Sequence, residues 1–181
     1  GMILQNFVIK YPLQVDKLVF INTNAGVRNP KSIDTFVKTQ IERLESLKKD
    51  PAKVFWRDTW FGFDLKFRKE MEADPKKKFY DIFSAEDLIK YIQKYPPTPQ
   101  DIKNQAHAIK THNAYDKLKQ IQNKSLVLAA SHDKLVPESV VQEIHKRIPN
   151  SIFKVINKAG HESHKSNAPE LNKIIIDFLQ D

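Results

Sequence analysis

Hydrophobic positions divide the chain into stretches of different period. From Met2 to Lys10, apolar side chains fall on nearly every side of a helical projection, which predicts a helix buried between layers. That helix ends at Tyr11-Pro12, because a residue preceding proline is pushed out of the α region. Residues 17–22, Lys-Leu-Val-Phe-Ile-Asn, then form a short β-rich run. Continuous apolarity, rather than alternation, predicts a strand covered on both faces, as in a parallel sheet.

Between residues 31 and 112 strand-like runs vanish and helical periodicity takes over. Ile33, Phe36, Val37, Ile41, Leu44 and Leu47 recur at spacings of three and four, up to a boundary at Asp50-Pro51. The aromatic residues concentrate next, in Phe55, Trp56, Trp60, Phe61, Phe63 and Phe67. Side chains of this kind at helical spacing are more often core than ligand-binding surface. Ser84-Ala85-Glu86-Asp87 reads as an N-cap with an acid at the third helical position, opening an amphipathic stretch to Lys94. A stiff connector, Tyr95-Pro96-Pro97-Thr98-Pro99, leads into a further helix over 101–112. The β–α rhythm returns with a buried strand at 125–130, a helix at 138–147, a strand at 152–156 and a closing amphipathic helix at 168–179. The expected class is therefore α/β, a three-stranded parallel sheet interrupted by an all-helical insertion.

Composition removes several alternatives. The 181 residues contain no cysteine, which excludes a disulfide scaffold, a thiolate nucleophile and sulfur-ligated metal sites. Thirty Lys+Arg against 22 Asp+Glu gives a net charge of +8. The lysines are scattered and mostly lie near acids at helical spacing, as in Glu42, Glu45, Lys48 and Lys49, and no nucleic-acid-binding motif is present. We expect no nucleic-acid partner. No apolar stretch reaches the ~18 residues needed to span a bilayer, and no signal peptide is visible. The expectation is a cytoplasmic chain without a membrane partner.

Two residues stand where ligands bind in open α/β sheets, beyond the carboxyl ends of strands. Asp133 follows strand 125–130, and His161 follows strand 152–156 within Ala159-Gly160-His161. Adjacent parallel strands would bring this carboxylate and imidazole within hydrogen-bonding distance, the orienting half of a nucleophilic triad. The pattern strand, x-x-D-x-x-V-P, helix, strand, A-G-H, helix resembles the C-terminal part of the α/β-hydrolase family, although Ala130 stands where that family often has glycine. Residues 2–22 are similar to the family's helix after the nucleophile and the following strand. The resemblance implies a core made of 1–30 and 113–181, a helical cap over 31–112, Asp133 as triad acid and His161 as triad base.

The family's nucleophile lies in G-x-S-x-G, and none of the four glycines, Gly1, Gly26, Gly62 and Gly160, is two residues from any serine. The chain is expected to start just past that serine, with Gly1 either a remnant of tag cleavage or the native elbow glycine. Ser131 and Ser163 flank the Asp–His pair but neither has an elbow. His132, His145 and His164 read as surface residues rather than metal ligands, so we expect no metal and no cofactor. The resemblance implies the C-terminal part of a serine-dependent ester or acyl hydrolase, inactive alone and acting on a small-molecule ester or acyl substrate only when completed by an N-terminal half. The alternative is a non-catalytic binding or interaction protein of the same fold. In either case the orphaned apolar edge of strand 17–22 is expected to drive self-association.

Overall fold

The structure is a computed structural model that describes residues 1–27, 29 and 31–181. Its elements are α1 (Met2–Lys10), β1 (Lys17–Ile21), α2 (Lys31–Lys49), α3 (Pro51–Gly62), α4 (Leu65–Ala73), α5 (Ala85–Lys94), α6 (Pro99–Thr111), β2 (Lys124–Ala130), α7 (Glu138–Arg147), β3 (Ser151–Ile156), α8 (Ser163–Ser166) and α9 (Ala168–Gln180). Short 3₁₀ turns at Pro12–Gln14 and Tyr115–Gln120 precede β1 and β2. The chain divides into two compact units. The first comprises Gly1–Val27, Phe61–Asp64 and His112–Asp181, the second Arg28–Trp60 and Leu65–Thr111. Arg28 and Pro30, beside the sequence-derived boundary at 30 and 31, lie outside the described residues.

In the first unit β1, β2 and β3 form a parallel sheet in that order, with Val19 opposite Leu126 and Val127 opposite Phe153. The central strand β2 is buried along nearly its whole length because both its sides are covered, whereas β3 exposes Ile152 and Lys154. Leu18, Phe20, Val127 and Ala129 pack with Val8 of α1 and Val141 and Ile144 of α7. Leu126, Leu128 and Ala130 pack on the opposite face with Leu171 and Phe178 of α9. Among the described residues nothing pairs with the outer edge of β1.

Two sequence expectations need correcting. Helix α1 is not enclosed: Gln5 and Val8 are buried, while Ile3 is 85% and Phe7 41% exposed. The face carrying Leu4, Val8 and Ile9 packs on the core of the first unit, while Phe7 meets the ring of Tyr11 at the surface. Strand β1 also stops one residue early, because Asn22 adopts a left-handed conformation (φ 45°). Its N–H still donates to the Leu128 carbonyl (2.9 Å), so the chain turns away only after the last ladder bond is made.

The second unit is helical. Ser84 caps α5 through the reciprocal bonds of a capping box with Asp87. Phe55 is buried, and Phe67, Phe79 and Phe83 follow one another with centroids 4.4 and 5.8 Å apart, the first pair tilted and the second stacked. A cavity of about 300 Å³ is lined by Ile41, Leu44, Leu47, Pro96, Pro97 and Pro99, among others. No described helix is long and apolar enough to cross a membrane.

Candidate active site

The site is built on the loops leaving the carboxyl ends of β2 and β3. These loops are zipped to each other before any functional side chain is considered. Ser131 N–H donates to the Ile156 carbonyl (3.0 Å), His132 N–H to the Ala159 carbonyl (2.9 Å), and Lys158 N–H to Ser131 Oγ (2.9 Å). Lys158 is left-handed (φ 52°), which turns the β3 loop back towards its neighbour. The Ser131 hydroxyl therefore has a structural occupation in the loop.

Asp133 is held from two sides. Its Oδ1 accepts from the N–H groups of Leu135 and Val136, both at 2.8 Å, fixing the turn that leads into α7. Its Oδ2 accepts from His161 Nδ1 at 2.8 Å, and none of the Asp133 side chain is exposed. Both oxygens of this buried carboxylate are thereby satisfied. Ala130 fits in this loop, its carbonyl accepting from Asp133 N–H (3.1 Å).

His161 is 31% exposed at its side chain. The hydrogen bond to Asp133 raises its pKa above the ordinary histidine value, outweighing the opposite effect of burial. Because Nδ1 is taken, the deprotonated ring carries its lone pair on Nε2, which makes no hydrogen bond among the described residues. The arrangement can accept a proton at Nε2 and stabilise the resulting imidazolium.

The His161 backbone has its own anchor. Asn22 Nδ2 donates to the His161 carbonyl (2.8 Å) and to Ser163 Oγ (2.9 Å), while Asn22 Oδ1 is buried without a partner among the described residues. Ser163 is fully buried. The three histidines weighed as metal ligands are dispersed: His132 Nδ1 pairs with Asp64 Oδ2 (2.7 Å), His145 Nδ1 with Ser151 Oγ (2.8 Å), and His164 Nε2 with Glu162 Oε2 (3.3 Å). No group of three or more potential ligands capable of holding a metal occurs among the described residues.

A family model described as the alpha/beta hydrolase fold matches residues 1–168. The chain belongs to the α/β-hydrolase fold family. A 2-hydroxy-6-oxononadienedioate/2-hydroxy-6-oxononatrienedioate hydrolase of Paraburkholderia phymatum is 22% identical over 174 residues, 96% of this chain and 57% of that protein. Among solved α/β hydrolases, MGS-M2 from a Medee basin deep-sea metagenome library superposes with a TM-score of 0.77 at 16% identity, covering 99% of this chain and 62% of that one. A thermophilic esterase from Thermogutta terrifontis gives 0.71 at 17% identity, covering 99% and 61%. The chain thus spans a little over half the length of the hydrolases it resembles.

Sequence reasoning gave no site role to Asn22 or Asp64, and read Phe61 and Phe63 only as part of the aromatic concentration. Asn22 looks like the polar end of a strand, a role open to any polar residue. Gly62 did carry a signal, as one of only four glycines.

Proposed function

We propose that this chain supplies the acid–base part of a serine-dependent ester or acyl hydrolase, the serine being contributed by sequence outside these 181 residues. The observation that carries the reading is the 2.8 Å Asp133–His161 hydrogen bond at the ends of adjacent strands. The absence of G-x-S-x-G from the sequence points to a nucleophile elsewhere. In the completed enzyme His161 Nε2 takes the serine proton as the serine oxygen bonds to the acyl carbon, then delivers that proton to the departing alcohol oxygen. Water attacks the acyl-enzyme by the same route, releasing the acid and restoring the serine. Asp133 keeps Nδ1 protonated throughout.

The strand bearing the serine would pair with the outer edge of β1, whose neighbouring surface includes exposed Ile3, Phe7 and Leu13. The second unit, helical and inserted after β1, would be the cap that selects the substrate. Without the nucleophile the 181-residue chain is inactive: nitrophenyl-ester hydrolysis and fluorophosphonate labelling are both expected to be blank. Turnover by this chain that disappears in His161→Ala would contradict the proposal. The reading frame ahead of Met2 is a second test, since strands ending in G-x-S-x-G support the proposal and non-coding sequence overturns it. Sedimentation tests the edge, self-association supporting an open pairing surface and a strict monomer counting against it.

A further inference from the structure

The first unit takes in four residues, Phe61–Asp64, from the midst of the helical insertion, between the end of α3 and the start of α4. They touch both site loops, on residues adjacent to Asp133 and His161. Asp64 Oδ2 meets His132 Nδ1 at 2.7 Å, and His132 immediately precedes Asp133. The Asp64 side chain is 11% exposed and that of His132 52%, so the carboxylate is the shielded end of this tie. On the other loop, the Gly62 carbonyl accepts from Glu162 N–H at 2.7 Å, one residue after His161.

Between these ties the backbones make direct contact. A Cβ on Gly160 would lie 2.5 Å from the Gly62 oxygen and 2.9 Å from the Phe63 carbonyl carbon, so the 62–63 peptide rests on a position where no methyl group fits. A Cβ on Gly62 would in turn come within 2.9 Å of Glu162 Cγ. Two of the chain's four glycines are thereby accounted for by one close approach.

We infer that Phe61–Asp64 is a positioning strap that holds the Asp133 and His161 loops at their mutual hydrogen-bonding distance, with Asp64 as its positioning residue. The inference rests on the reading of Asp133–His161 as an acid–base pair. The loops are already joined by backbone bonds near β2 and β3, at Ser131 with Ile156 and His132 with Ala159. The strap adds restraint at the far end, on the residues flanking the reactive side chains. A carboxylate–imidazole tie is directional and charge-assisted, and so fixes orientation as well as distance. Positioning of this kind matters because a small displacement of a catalytic base costs a large factor in rate.

The test uses the 181-residue chain and reads His161 by NMR, following its ring titration and the exchange of its Nδ1 proton. Asp64→Asn and His132→Gln cut the tie from opposite ends. Only Asp64→Asn removes a negative charge, so agreement between the two isolates geometry from electrostatics. Both variants are expected to move the His161 titration down towards the ordinary histidine range. Both should also speed Nδ1 proton exchange about tenfold, the equivalent of one weakened hydrogen bond. The strap is overturned if both variants lower only the melting temperature and leave His161 unmoved, or if Asp64→Asn alone shifts it. Failure of the underlying acid–base reading shows differently: His161 in the unsubstituted chain would itself titrate as an ordinary histidine, and the strap would fall with it.

Discussion

Two imidazoles of the first unit are held in opposite ways. His112 is buried among amides: its Nε2 lies 3.0 Å from Gln5 Oε1 and its Nδ1 3.2 Å from Asn6 Nδ2. Gln5 Nε2 donates to the Asn24 carbonyl, so its Oε1 is the acceptor and His112 carries its proton on Nε2. Both ring nitrogens are consumed, and burial, with the nearby positive N-terminus, lowers the pKa. His161 instead meets one carboxylate, which raises its pKa, and it keeps Nε2 for another group. The amide-held ring favours its neutral form and joins α1 to the segment before β2. The carboxylate-held ring is poised to gain a proton. Burial dominates where the partners are neutral amides, and a carboxylate partner overrides it at His161.

The largest effect is expected from breaking the His112 side. Gln5→Leu strands the His112 Nε2 proton and the Asn24 carbonyl in a buried setting, at a cost of about 3 kcal/mol in urea unfolding. The His161 titration should not move. A cost below about 1 kcal/mol would mean that the network does not hold α1.

Next comes Asp133→Asn, which should lower the His161 pKa and destabilise the fold by about 1–2 kcal/mol at acid pH. Because the folded pKa of His161 is raised, its stabilising contribution is complete below the ordinary value of about 6.5 and is lost as pH rises through the folded pKa. The gap between the original chain and Asp133→Asn should accordingly be wider near pH 5 than near pH 9.

The sign reverses for His112. Its folded pKa is lowered, so its contribution is complete above about 6.5 and is lost as pH falls towards the folded pKa. The stability difference between the original chain and His112→Gln should shrink on acidification, and a constant difference would remove the claim of a neutral ring. The smallest effect is expected from Ser131→Ala, which deprives the exposed Lys158 N–H of an acceptor at about 0.5 kcal/mol. Labelling of Ser131 by a fluorophosphonate would contradict its purely structural part.

The sheet was legible in the sequence because each strand is a short β-rich run, and in β2 two-sided burial leaves no alternation to misread. Asp133 and His161 stood out because each follows such a run, where parallel sheets place their chemistry. The contacts of Phe61–Asp64 were hidden, since a backbone carbonyl resting on Gly160 leaves no side-chain signature and Asp64 lies in the short link between α3 and α4. His112 was equally silent: its partners Gln5 and Asn6 are more than a hundred residues away and polar, so no periodicity links them. The exposure of Ile3 and Phe7 was missed for a different reason. A hydrophobic pattern says that a face could be covered, not what covers it.

The account's central claim is that Asp133 and His161 form an oriented acid–base pair. An NMR titration of the His161 ring in the original chain and in Asp133→Asn tests it most directly. The pair predicts a titration above the ordinary histidine range in the original chain that falls back when the carboxylate is removed. A His161 that titrates at or below the ordinary value, or that ignores Asp133→Asn, would contradict it.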